Sequence, residues 1–175
     1  MMVFRKLLSI LRAQGGFTLI ELLVGIAITG SISGVLVLGI LQTDRTVSVN
    51  RNHLVSISRV HNTGFWIQTD AQMAQSVVVG DDESGLPLTL SWTEWDNTQH
   101  QIIYAIEGNS LVRTHTADGE TTSTILVAQS VDTASDMTNC EFSNGMLMFK
   151  ITATEGEGPR ESSETRLFEV ALRAN

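Results

Sequence analysis

The feature that most constrains this chain is one carboxylate inside an apolar run that is otherwise uncharged: from Phe17 to Leu41 the only ionisable side chain is Glu21. About 20 apolar residues at 1.5 Å rise cross the roughly 30 Å hydrocarbon layer of a bilayer, so the run predicts a membrane-spanning helix. A carboxylate at that depth costs roughly 2.5–3.5 kcal/mol on insertion scales, which predicts that Glu21 has a partner. Before the run stand Arg5, Lys6 and Arg12, then Gln14-Gly15-Gly16. A secretory signal also joins basic residues to an apolar core, but that core is only about 7–15 residues long and its small-residue cleavage site follows it. Here the run is longer and the small residues come first. An uncleaved anchor shares the remainder of the pattern.

The segment Gly16-Phe17-Thr18-Leu19-Ile20-Glu21 after a short basic leader resembles the processing segment of the type IV pilin and type II secretion pseudopilin superfamily. The resemblance implies that prepilin peptidase cuts between Gly16 and Phe17 and that Phe17 is then N-methylated. It also implies an assembly role for Glu21, whose carboxylate would approach the N-terminal amine of a neighbouring subunit. Opposite charges attract far more strongly in a low-dielectric site than in water, so such a pair would help to register subunits. Many major pilins carry a proline midway along the membrane helix, where this chain has Leu38. That departure implies a straighter helix and argues against a major subunit.

Composition fits an exported domain on a membrane helix. The formal net charge is −8, from 11 basic and 19 acidic residues. Loss of the leader removes Arg5, Lys6 and Arg12, leaving 8 basic against 19 acidic groups, or −11. So acidic a surface repels nucleic-acid backbone, and nucleic acid is not an expected partner. The basic leader stays cytoplasmic by the positive-inside rule, which places the C-terminal bulk outside the inner (cytoplasmic) membrane. The single cysteine, Cys140, has no partner for an intramolecular disulfide and reads as a half-buried strand residue.

Past Leu41, the residues Val47, Leu54, Ile57, Val60, Gly64, Ile67, Ala71, Ala74 and Val78 recur at helical spacing and predict a helix reaching Val78. Arg45, Arg51, Arg59, Gln68, Asp70 and Gln72 between them are expected to face water. Gly64 marks either close packing or a break. Within the apolar part, Gly30 and Gly34 form a small-xxx-small step that would let another helix approach.

After Val79 the pattern becomes that of strands. Leu86, Leu88, Leu90 and Trp92 alternate, Gly108-Asn109 and Asn144-Gly145 are two-residue hairpin signals, and Phe168, Val170 and Leu172 share a face. Thr124–Ala128 reads as a further strand and Glu155–Glu164 as a loop. The expected fold is α+β: a leader (1–16), a transmembrane helix (17–41), its amphipathic continuation (42–79) and an antiparallel β-rich head (80–175), the pilin-like architecture that the resemblance implies. The strings Trp66–Gln72 and Tyr104–Arg113 are similar to those of J-type minor pseudopilins and related minor pilins.

Enzymatic readings find little support. His53 and His61 sit eight apart on the expected helix with no companion ligands, and His100 and His115 read as surface residues. Asp81-Asp82-Glu83 lacks the alternating oxygen ligands of a calcium loop and reads as a polar turn. No nucleophile elbow or phosphate-cradling glycine loop occurs, and no metal or cofactor is expected. The favoured function is a structural minor subunit of a type II secretion pseudopilus or type IV pilus, partnered by the peptidase, by other pilins or pseudopilins and by the inner membrane. The alternative is a pilin-like binding module for DNA uptake or surface adhesion, in which Trp92 and Trp95 could stack on bases; the same tryptophans are expected to pack the head.

Overall fold

A computed structural model describes residues 18–172. Gly16 and Phe17, the expected processing pair, lie outside the described residues. One long helix, α1 (Leu19–Met73), is followed by antiparallel strands, which is the expected α+β order. The chain divides into two compact units, Met1–Arg45 and Thr46–Asn175.

In the first unit α1 is apolar on every side. Ile20, Leu23, Ile28, Leu36 and Leu41 are each more than half exposed within the single chain. By length and composition the helix can cross a membrane. Three of its hydroxyls bond back along the helix: Thr29 Oγ1 donates to the Gly25 carbonyl at 2.8 Å, Ser31 Oγ to Ala27 at 2.9 Å and Thr43 Oγ1 to Gly39 at 2.9 Å. Such i−4 bonds satisfy polar side chains where water is absent.

In the second unit α1 turns one stripe to the core: Ser56, Val60, Thr63, Gly64, Ile67, Asp70 and Ala71 are buried. The stripe follows the 3.6-residue period, but it is narrower and more polar than apolar spacing predicts, because Val47 and Leu54 stay exposed while Ser56, Thr63 and Asp70 go inside. Gly64 marks close packing, not a break. The helix is continuous through it, and a Cβ built there would collide with the Phe168 ring. The helix ends at Met73, short of the expected Val78. Ala74 N–H makes a last helical bond to Asp70 O at 3.0 Å, then Gln75 N–H turns to Ser91 O at 2.9 Å. The run Val77-Val78-Val79 favours a strand over a helix, and β1 (Ser76–Val78) joins the sheet.

The head holds two antiparallel sheets. The first is a meander in the order β1-β2-β3-β4-β5, with β2 (Leu88–Thr93), β3 (Gln99–Glu107), β4 (Ser110–Ala117) and β5 (Glu120–Ala128). The second runs β6-β7-β8, with β6 (Asn139–Ser143), β7 (Met146–Glu155) and β8 (Ser162–Ala171). The hairpins at Gly108-Asn109 and Asn144-Gly145 form as expected, and Asp118-Gly119 makes a third, with both residues at positive φ (51° and 84°) as a type I′ turn demands. Leu88, Leu90, Ile102, Tyr104, Leu111, Leu147, Phe149 and Ile151 fill the core with the α1 stripe. The predicted loop at Glu155–Glu164 is shorter than expected, since β7 reaches Glu155 and β8 begins at Ser162.

Candidate functional site

Glu21 stands at the start of α1, and the structure gives it a local role that the processing motif obscures. Thr18 is the N-cap: Glu21 N–H donates to Thr18 Oγ1 at 3.3 Å. In return Glu21 Oε2 accepts from Thr18 N–H at 3.4 Å and from Thr18 Oγ1–H at 3.3 Å. This reciprocal arrangement is a capping box, in which the N-cap hydroxyl and the carboxylate three residues on satisfy backbone N–H groups that a helix start leaves without partners. Thr18 is thus a functional residue that sequence reasoning missed, although the Thr-x-x-Glu spacing signals it. An ionised carboxylate offers about four acceptor sites, so the bonds to Oε2 leave capacity for a cation beside Glu21. The helix macrodipole also favours a negative charge in this first turn.

From Glu21 a shallow groove follows one face of the helix past Leu22, Gly25, Ile26, Thr29 and Gly30 to Ser33. Gly34 does not line it. A Cβ added at Gly25, Gly30, Gly34 or Gly39 would meet nothing within 4 Å, so in the single chain the small-residue surface is open. The structure therefore brings Glu21 and Gly30 onto one face and leaves Gly34 beside it.

The head carries a second constellation. Asp70, expected to face water, is 1% exposed. Arg113 on β4 donates to it twice, Nε to Oδ2 at 2.7 Å and Nη2 to Oδ1 at 2.9 Å, and the Tyr104 hydroxyl on β3 donates to the same Oδ2. The Arg113 guanidinium lies 4.8 Å from the Trp66 ring centre. Burial pulls the Arg113 pKa down, but its hydrogen bonds and charge interaction with Asp70 outweigh that and raise it overall. Burial, then the Asp70 charge, pushes the Tyr104 hydroxyl well above its ordinary range, so it remains a donor. Trp66, Asp70, Tyr104 and Arg113 thus form one network around a buried ion pair that ties α1 to the first sheet.

Other candidate residues fall into structural places. Cys140 is 2% exposed, deeper than the half-buried position expected. Its thiol donates to the Gly85 carbonyl at 2.9 Å, and burial, with Asp82 and Glu141 nearby, pushes it up to about 12. Such a thiol is inert at neutral pH. Asp82 Oδ1 accepts from Ser84 N–H, Ser84 Oγ and Leu86 N–H, which makes the acidic run a closed turn. Trp92 is half-buried, whereas Trp95 is 94% exposed at the β2–β3 turn and does not pack the head. His100 and His115, read as surface residues, are half-buried beside Trp92. Among the described residues no three His, Cys, Asp or Glu side chains gather as a metal site.

An apolar helix with a capped carboxylate at its start, followed by an antiparallel head, is a pilin-like α+β architecture. The family model for the prokaryotic N-terminal methylation motif matches residues 11–41, a span that includes Gly16, Phe17, Glu21, Gly30 and Gly34, and this supports the type IV pilin and pseudopilin superfamily. The motif implies processing by prepilin peptidase and association with other pilins, and with the apolar helix it fits an inner-membrane-anchored pilin with a C-terminal head. Pilin-type proteins are generally structural, not enzymatic. No curated protein and no solved structure matches the chain.

Proposed function

We propose that this protein is a minor pilin or pseudopilin of the J-type kind, a structural subunit of a type II secretion pseudopilus or type IV pilus that primes assembly or caps the tip. Prepilin peptidase removes residues 1–16 by cutting after Gly16, and Phe17 becomes the methylated N-terminus. The basic leader lies on the cytoplasmic side and the head outside the membrane. The observation that carries the reading is Glu21: a lone carboxylate in the first turn of α1, in a run from Phe17 to Leu41 with no other ionisable side chain, within the stretch that matches the methylation motif. Its capping bonds organise the helix start and leave acceptor capacity for a neighbouring subunit's Phe17 amine. Gly30 and Gly34 let the neighbouring helix approach along the open face. Leu38 in place of a kinking proline supports a minor subunit.

The reading is tested with Glu21→Ala or Glu21→Val in cells carrying the whole assembly system. The variant inserts and is cleaved like wild type, because removal of a desolvated carboxylate does not hinder insertion, but it fails to crosslink into pilin complexes. Crosslinking at wild-type yield would overturn the assembly role of Glu21. A binding-module reading is favoured by one observation, the exposed Trp95; loss of binding to cells or surfaces by Trp95→Ala, with assembly intact, would support it.

A further inference from the structure

The end of the first sheet that carries the β2–β3 turn holds three stacked rings: Trp92, which packs against the edge of the core, and two histidines beside it. Trp92 on β2, His100 on β3 and His115 on β4 lie within 21° of parallel to one another. Trp92 stands 5.1 Å from His100 and 6.1 Å from His115 between ring centres, the offset arrangement that aromatic pairs favour. The two imidazoles do not overlap. Their centres are 5.3 Å apart while His100 Nδ1 and His115 Nε2 are only 3.1 Å apart, so the nitrogens point at one another along the line between the rings. In that geometry one ring must present an N–H and the other a lone pair. A metal would need both lone pairs to converge on a third point; this pair shares a proton instead. On the far side of His100, Nε2 is 3.5 Å from Glu94 Oε1.

We propose that the His100–His115 pair is a proton-operated latch, which fastens β3 to β4 beneath the Trp95 turn while it carries no added proton or one, and opens when it takes a second. A singly protonated pair still has one N–H and one lone pair between the rings. A doubly protonated pair sets N–H against N–H and charge against charge. The charged groups around it decide where the second proton must go. Glu94 on β2 faces His100. Asp96 in the β2–β3 turn is held below the ordinary carboxylate range, chiefly by the Thr98 backbone N–H and to a smaller degree by His100. Asp118, in the β4–β5 turn, accepts from Gln99 N–H at 2.9 Å. Arg113 on β4 and Asp70 on α1 act on His115 from within the core. Burial foremost, then the Arg113 charge and His100, holds His115 below its ordinary value of 6.5, with Asp70 opposing them. A base whose folded pKa is lowered stabilises the fold above its unfolded value, and that stability is lost as pH falls through the folded one. The latch therefore holds at neutral pH and loosens in the window below 6.5.

Hydrogen exchange on the full-length protein in detergent micelles, corrected for the intrinsic pH dependence of amide exchange, tests the latch. The opening constant of the segments around Trp92–Gln101 and Arg113–Ala117 should rise as pH falls below 6.5, by up to about tenfold per pH unit where opening takes up one proton. His115→Gln keeps a donor toward His100 but does not titrate, so its opening should be flat with pH. His100→Gln, which also removes the titrating pair, should be flat as well and serves if the first variant does not fold. A pH-independent wild type, or a variant that loosens as steeply as wild type, would overturn the latch.

Discussion

Removing the Asp70 carboxylate should do more harm than any other single change to the head. Asp70 is 1% exposed and is the shared acceptor of two Arg113 bonds and one Tyr104 bond. In Asp70→Ala the guanidinium keeps its buried site but loses its counter-charge, and breaking a buried pair from one side costs about 3–5 kcal/mol. The Tyr104 hydroxyl loses a bond to a charged acceptor, a group worth about 1.5–3 kcal/mol, though the two losses overlap because both act through one oxygen. Against a domain stability of about 5–15 kcal/mol, a loss of about 4 kcal/mol leaves a marginal fold. The assay is urea unfolding of the chain lacking residues 1–41. With a slope of about 2 kcal/mol per molar, the midpoint should fall by about 2 M. Removing both charges should be far milder: Asp70→Leu with Arg113→Met should recover most of the loss, since apolar replacement of a buried ion pair is often neutral or stabilising. If Asp70→Ala shifted the midpoint by less than about 0.5 M, a loss near 1 kcal/mol and typical of a solvated pair, the buried network would not be holding the helix to the sheet.

Gly64→Ala should destabilise the head by about 1–3 kcal/mol despite Ala's higher helix propensity, because its Cβ would strike the Phe168 ring; Phe168→Leu should relieve the clash, and the same urea melts compare the three variants. Thr18→Ala opens the capping box and should cost about 1 kcal/mol at the start of α1, seen as faster backbone exchange at Leu19–Leu22 in micelles with the head unchanged. Cys140 should react with a maleimide only on unfolding, since its thiol is buried and pushed up to about 12; rapid labelling at pH 7 would contradict its place beside Gly85.

Local signals carried much of this fold. Gly108-Asn109 and Asn144-Gly145 turn where they should because glycine and asparagine suit the positive φ that Gly108, Asn144 and Gly145 adopt. Asp118-Gly119 was as legible, but the polar run Glu120–Thr124 beside it shows no apolar alternation, so the strand it opens was not anticipated at full length. The partition into two sheets depends on pairings distant in sequence, such as Cys140 N–H to Ser84 O at 2.8 Å, that no local pattern encodes. Asp70 shows the same limit. Three residues after Ile67 it lies on the buried face, yet a carboxylate reads as solvated until its partner 43 residues away is known. At the membrane end Glu21 was found by its isolation among apolar neighbours. Its partner Thr18 lies in the same six residues, where the Thr-x-x-Glu spacing of a capping box overlaps the processing motif.

The most direct measurement is the intact mass of the protein extracted from membranes of cells that contain prepilin peptidase. A chain beginning at Phe17 and carrying one added methyl group is the predicted result, with Gly16→Asp retaining residues 1–16. Wild-type protein that keeps its leader, or a Gly16→Asp variant that still begins at Phe17, would contradict the pilin account at its root.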